Sequence, residues 1–339
     1  MFTDALYYPY IHIPDNLWLR RAILYWDKIS PIVPYDVESQ IPDNHVSKQL
    51  REEGSLEFIN PEEILYHDEG RELSNMFLDL MNSDLIKEKI PPVGERDYTQ
   101  RIHRDKFSMG ILTEFEKLKL YNQDKGNPRW LLFELNAATI YMGFLASAIA
   151  RKKSIEPITD DKLYHDGFML SQISPSKNVT SIISLVFDNL LPVPVEEIPV
   201  KDLIRFKRKH ERELLAFRKV IRNILMSVSN VTDENEIKTL LEGYKDNLKE
   251  SMLIIDKKLS ENKIRTIFNL LESSLKLSVP EAAVVAGAAS IAVPLGAIAF
   301  GTNAAIKIGK VLFEGRVAKH SILESNPYTY LYSVRKELI

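Results

Sequence analysis

Ala5-Leu6-Tyr7-Tyr8-Pro9-Tyr10-Ile11-His12-Ile13, then Leu17-Trp18-Leu19-Arg20-Arg21-Ala22-Ile23-Leu24-Tyr25-Trp26, then Ile29-Ser30-Pro31-Ile32-Val33, is the stretch on which the reading of the fold turns. The first segment is rich in Tyr and Ile, which suit a pleated strand, and Pro9 puts it at a sheet edge or marks the end of the strand. Asp15 or Asn16 can cap a helix in which Leu17, Ala22, Leu24 and Tyr25 recur, and Ile29 to Val33 is again strand-like until Pro34 stops it. Strand, helix and strand within about thirty residues is the length of a right-handed parallel βαβ unit.

Working outward, the short apolar runs Leu56 to Ile59 and Ser181 to Phe187 can extend the same sheet, with Trp130 to Phe133 a weaker candidate. Helices are expected over Asp43 to Glu53, Glu69 to Ile86, Phe107 to Tyr121 and Asn136 to Lys152, so a small sheet covered by helices is the natural architecture. After the proline-punctuated stretch Leu191 to Pro199 the character changes. Leu203, Phe206, Leu214, Phe217, Ile221, Leu225 and Val228 form one helical stripe, with His210 at the remaining step. A second stripe, Ile237, Leu241, Tyr244, Leu248, Met252, Ile255 and Leu259, follows a turn and predicts an antiparallel partner, and a third amphipathic helix runs from about Glu261 to Leu277. The expected chain is therefore a predominantly α-helical α+β protein: residues 1–199 an α/β domain with helices around a small sheet, residues 200–339 a helical domain with a long hairpin and an Ala/Gly-rich apolar hairpin.

With 339 residues, 45% of them hydrophobic and 27% charged, the chain can bury a substantial core without covalent help. A formal charge of −3 gives no global field toward nucleic acid or anionic lipid, and the absence of cysteine removes disulfides, thiolate nucleophiles and iron–sulfur clusters together. The opening residues lack the basic and apolar regions of a signal peptide, so a cytoplasmic location is expected. There is no phosphate-binding glycine loop, no dinucleotide fingerprint and no serine-hydrolase elbow, and neither nucleotide nor other cofactor is expected.

Ala282 to Ile306 contains no charged residue and carries Pro294 near its centre. Its length permits a bilayer span, but its Ala and Gly content and the proline favour a hairpin buried against protein. Entry into a membrane would then need a trigger, with Lys307, Lys310, Arg316 and Lys319 facing anionic headgroups.

Candidate site residues follow from position. His12 comes after the first strand, where α/β folds gather functional groups, and is the first choice as acid or base, with Asp27 after the first helix beside it. His103 and Lys106, in Arg101-Ile102-His103-Arg104-Asp105-Lys106, are the second choice. Arg205, Lys207, Arg208, Lys209 and Arg212 form a basic face that could meet phosphates, although pairing with acids such as Glu234, Glu242 and Asp246 of the expected partner helix accounts for it equally. The seven histidines show no metal-binding spacing. Asp160, Asp161, His165 and Asp166 could gather a cation, but a helix start capped at Thr159 explains the same letters, so no metal is expected.

Leu6-Tyr7-Tyr8-Pro9-Tyr10-Ile11-His12, Trp18-Leu19, Tyr25-Trp26-Asp27, Phe206-Lys207-Arg208-Lys209-His210, Leu214, Phe217-Arg218 and Asn326-Pro327-Tyr328-Thr329-Tyr330-Leu331 together resemble an uncharacterised bacterial family known only as a domain of unknown function. The resemblance implies a bacterial origin and supplies no catalytic residues. The sequence points first to a noncatalytic interaction or effector protein, in stress or phage defence, acting through its C-terminal helices on a protein partner, a second copy or a membrane. The competing class is a metal-dependent phosphodiester hydrolase, nuclease-like in its chemistry. Several carboxylates and a histidine converging in one cleft would favour the enzyme.

Overall fold

The computed structural model describes residues 3–39, 41, 45–171, 198–229 and 326–338, with isolated positions between 239 and 251. The chain is mixed α and β, and helix predominates over two small sheets among the described residues. It divides into two compact units, Met1–Ser181 and Ile182–Ile339. The expected strand at 181–187, most of the second stripe at 237–259, the third helix at 261–277 and the apolar segment 282–306 lie outside the described residues.

In the first unit, β1 (Asp4–Tyr7), α1 (Leu17–Tyr25) and β2 (Lys28–Pro31) make the expected βαβ unit, with β1 and β2 parallel from Asp4↔Lys28 to Tyr7↔Pro31. Asn16 caps α1, its side-chain oxygen accepting the Leu19 N–H at 3.0 Å. Leu19, Ala22, Ile23, Leu24 and Tyr25 are buried. Pro9 lies beyond the end of β1, in a cis Tyr8–Pro9 peptide. The strand itself is central, since β6 (Glu156–Ile158) pairs parallel on its other side and gives the order β2-β1-β6. Beyond β2, single parallel bridges Ile29↔Leu56 and Ile32↔Ile59 realise the run expected there.

Four helices follow β2 and Pro34: α2 (Tyr35–Glu38), α3 (His45–Glu52), α4 (Glu62–Leu65) and α5 (Asp68–Met81). The helix expected to reach Ile86 breaks after Met81, where Asn82 N–H bonds back to Leu78, and resumes as α6 (Asp84–Lys87). A second sheet was not foreseen. Trp130–Phe133, expected in the first sheet, is instead β5, paired antiparallel with β3 (Gln100–His103) and β4 (Tyr121–Gln123). The β4–β5 turn holds itself: Asp124 accepts the Gly126 N–H at 2.8 Å and Asn127 accepts the Arg129 N–H at 3.0 Å. Between β3 and β4 runs α7 (Met109–Lys117), capped by Ser108.

The core is organised by α8 (Leu135–Lys153). Glu134 caps it with both carboxylate oxygens, on Asn136 and Ala137 N–H. Its residues from Ala137 to Ser147 are all buried, so it is apolar around its circumference rather than along one stripe. Arg151, Lys152 and Lys153 favour its carboxyl end, and Ser154 closes it in the left-handed region at φ 55°. On one side, Tyr141 and Phe144 join Phe77, Phe107, Phe115 and Phe133 in an aromatic cluster with edge-to-face and stacked contacts. On another, α8 packs against α9 (Lys162–Ser171), where Gly167 meets the Thr139 backbone so closely that a Cβ would lie 2.6 Å from its carbonyl oxygen.

In the second unit the first stripe forms two helices, α10 (Val200–Lys209) and α11 (Glu211–Ser229), separated by His210 at φ −109°, ψ 28°. The partner seen for them among the described residues is α12 (Thr329–Leu338). Buried Phe217 stacks on Tyr330 with ring centroids 6.5 Å apart, and Phe206 tilts against both His210 and Tyr330. Lys209 Nζ donates to Glu337 at 2.7 Å, and His210 Nε2 lies 3.2 Å from the same carboxylate.

Candidate functional site

The carboxyl ends of β1, β2 and β6 all open at one edge of the first sheet, and β1 continues to neighbours on both sides, the place where open α/β sheets take their ligands. Polar side chains gather there in two groups with a buried lysine between them in the chain of contacts.

The first group stands past β1 and β6. Tyr7 O–H donates to Asp160 at 2.8 Å, Tyr10 O–H donates to Asp161 at 2.5 Å, and Asn16 Nδ2 donates to Asp160 at 3.3 Å. Burial, followed by the charge of Asp160, pushes the Tyr7 phenol far up; burial and the bond to Asp161 do the same for Tyr10. Asp161 also accepts the Leu163 N–H at 2.9 Å, and Thr159 accepts the Asp161 N–H at 3.1 Å. These residues therefore lead into α9, with Asp161 rather than the expected Thr159 capping it, and Asp160 and Asp161 serve the two tyrosines as well. His165 follows in α9, and the side chain of Asp166 lies outside the described residues.

The second group stands past β2 and β3. His103 ends β3 and is completely buried, with its ring edge against Trp130. Its Nε2 lies 3.7 Å from Asp36 Oδ2 and its Nδ1 3.8 Å from Asp105 Oδ2. Nδ1 takes a long 3.4 Å bond from the Asp105 N–H, whereas Nε2 is buried without a hydrogen-bond partner. Burial pushes the imidazole below its ordinary range against the pull of Asp36 and Asp105. One ligand atom from each of Asp36, His103 and Asp105 can be chosen so that all three lie within 4.8 Å of one another. Arg129, at the start of β5, reaches the same point: its guanidinium is ion-paired with Asp36 and lies 3.5 Å from Asp105.

Lys106 follows directly in the turn after β3. It is completely buried, its Nζ donates to the Pro9 carbonyl at 2.6 Å, and its own carbonyl accepts the Tyr141 O–H at 2.8 Å. Desolvation lowers its ammonium pKa to about 7.

The residues chosen first from the sequence fare differently. His12 and Asp27 are both exposed and are not brought together. His12 follows the carboxyl end of β1, while Asp27 stands at the opposite end, its N–H bonded to Thr3 at 2.5 Å. The second choice, His103 with Lys106, lies at the centre of the carboxyl edge. Asp36 was missed, although the signal existed: it comes just after a strand stopped by Pro34, the same position that singled out His12. On the basic face, Arg205, Arg208, Lys209 and Arg212 are exposed but Lys207 is buried. Arg205 pairs with Asp202 at 3.1 Å and Lys209 with Glu337. No described helix is long and apolar enough to cross a membrane, and Ala282, Pro294 and Ile306 lie outside the described residues.

A family model matches residues 117–339, and its description is that of a family of unknown function. The match takes in Arg129, Asp160, Asp161 and two of the sequence patterns noted at the outset, near Phe206 and Asn326; Asp36, His103 and Asp105 precede it. No curated protein and no solved structure matches the chain.

Proposed function

Because the chain belongs to DUF6236, a family of unknown function that brings no activity with it, we propose from the site alone that the first unit is a metal-assisted phosphodiester hydrolase of the bacterial cytoplasm. One observation carries the reading: two carboxylates and a completely buried histidine with an unpartnered nitrogen converge at the carboxyl edge of a parallel sheet. This departs from the sequence-based expectation that no metal is held, which rested on spacing alone. One imidazole and two carboxylates suit a borderline divalent ion such as Zn²⁺ or Mn²⁺ and leave coordination positions for water and substrate.

An ion at this point would supply Lewis-acid polarisation and lower the pKa of water. The protein supplies the rest. Asp36 and Asp105 balance the positive charge, His103 is fixed against Trp130, and Arg129 stands at the rim to meet an anionic oxygen. Hydrolysis forms one P–O bond from water and breaks one ester P–O bond, the water proton ending on the departing oxygen. The test is hydrolysis of bis(p-nitrophenyl) phosphate and of a short single strand by the full chain with Mn²⁺, Zn²⁺ or chelator. Turnover that needs the ion and is lost in Asp36→Asn and Asp105→Asn is expected; no turnover with any of these ions would sink the proposal.

A second reading, an interaction or effector protein in stress or phage defence, is favoured by a different feature. Leu215, Lys219, Arg222 and Met226 recur along α11 at spacings of four, three and four, and all four are exposed. Mixed apolar and basic stripes of this kind suit a protein partner. Loss of a copurifying partner in Leu215→Asp/Arg222→Glu, with unchanged melting, would support it; an unchanged set of copurifying proteins would count against it.

A further inference from the structure

Resting on the metal-assisted reading, we propose that Arg129 is a displaceable internal cation: a divalent metal ion takes its place on Asp36 and Asp105, and the released guanidinium then binds a phosphoryl anion beside the ion. The site divides into a sheltered part and a removable part. The His103 side chain is 0% exposed and those of Asp36 and Asp105 are 25% and 23% exposed, whereas that of Arg129 is 57% exposed. Three of these groups are therefore held by the fold, and only the guanidinium can leave the site without opening the core.

Charge explains why something must sit there. Two carboxylates converge beside a buried imidazole, an arrangement that favours a cation between them, and Arg129 contacts both. Its single positive charge balances one of the two carboxylates. A divalent ion balances both and can also be ligated by a ring nitrogen of His103, which a guanidinium cannot match, because it has only donors. The ligand atoms, within 4.8 Å of one another, need only a modest inward movement to reach bonds of about 2.1 Å to one ion.

After displacement Arg129 cannot go far. Its N–H is held by Asn127 at 3.0 Å and its carbonyl accepts the Arg104 N–H at 2.9 Å, so the base of the side chain stays tied to the turn that carries Asp105. The planar fork, freed of its carboxylates, matches two oxygens of a phosphate. The proposed sequence is thus ion first, phosphate second, with the arginine changing partners between them.

Isothermal titration of the full chain with Mn²⁺, and separately with inorganic phosphate with and without Mn²⁺, tests this on wild type, Arg129→Gln and Asp36→Asn. Arg129→Gln changes an exposed side chain, so a wild-type far-ultraviolet circular dichroism spectrum checks its fold. Expected are Mn²⁺ affinity roughly tenfold higher in Arg129→Gln than in wild type, as a competing charge-assisted pair is removed, and its loss in Asp36→Asn. Phosphate should bind wild type only when Mn²⁺ is present and should not bind Arg129→Gln in either condition. Equal or weaker Mn²⁺ affinity in Arg129→Gln overturns the proposal, as does metal-independent phosphate binding. The hydrolase reading fails separately: these binding results without any ester hydrolysis would sink that reading and leave the exchange of cations standing, whereas metal-dependent hydrolysis with an unaltered Arg129→Gln affinity would do the reverse. Absence of Mn²⁺ binding to both proteins refutes the exchange of cations and leaves the hydrolase reading to its own test with Zn²⁺.

Discussion

Glu156 opens β6, in register with Ala5 at the centre of the sheet, and burial lifts its carboxyl pKa from 4.5 to about 7. A carboxyl that the folded state protonates more readily than the unfolded chain stabilises the fold fully below the unfolded value. That contribution drains away as pH rises through the folded one. At about 1.4 kcal/mol per pH unit, the span from 4.5 to about 7 amounts to about 3 kcal/mol lost by pH 8. Glu156→Gln keeps the size of the side chain and never ionises. It should match wild type in stability near pH 4 and exceed it by up to about 3 kcal/mol at pH 8. Urea unfolding of both proteins at half-unit steps from pH 4 to 8 measures the difference directly, since every other titration is common to the two and cancels. A difference that stays flat across this range, or that favours wild type at high pH, would refute the burial argument for Glu156.

Phe77 contacts Phe115, Tyr141 and Phe144 edge-to-face, so Phe77→Ala should cost about 3–5 kcal/mol in urea unfolding, and a loss under 1 kcal/mol would mean that the cluster is not the core of the first unit. Gly167→Ala drives a methyl into the Thr139 backbone and should cost about 1–3 kcal/mol. Gly94→Ala, with nothing within 4 Å of the added carbon, should be close to neutral; equal melting temperatures for these two variants would contradict the close crossing of α8 and α9. Phe217→Ala should cost about 3–5 kcal/mol in the unfolding of the second unit, followed by calorimetry, because the ring is buried on Tyr330.

The parts of the fold that could be read in advance are those whose stabilising pattern is local. The run from Ala5 to Val33 carries its own strand composition, its cap at Asn16 and its stop at Pro34, and α8, Leu135–Lys153, extends one residue past the expected bounds Asn136 and Lys152 at each end. What escaped are strands of three or four residues, Gln100–His103, Tyr121–Gln123 and Glu156–Ile158, whose letters are mostly polar or include proline. Their strand state comes from ladder bonds to partners distant in sequence, as Glu156 has with Ala5. The stripe from Leu203 to Ile221 was legible as helix, but its interruption at His210 was not, because the break preserves the spacing of three and four while Glu337, far away in the chain, holds the imidazole. The same distinction governs the site. His103 and Lys106 are close neighbours and are singled out together from the sequence, whereas Asp105 between them is not, and Asp36 joins them only through the parallel pairing of β1 with β2 and the path of the chain from β2 to β3.

The all-round burial of α8 bears on how the protein can be cut. The family match begins at residue 117, upstream of α8 but after α1, α5, nearly all of α7 and three of the six strands, β1, β2 and β3. A fragment made to that boundary keeps Ile140, Tyr141, Phe144 and Leu145, yet discards Phe77, Phe107, Ile111 and Phe115 from the cluster that shelters them. Such a piece would leave a long oily rod half unclothed and should collect in inclusion bodies. Fragments intended to isolate the helical half are better begun at Ile182, where the second compact unit starts.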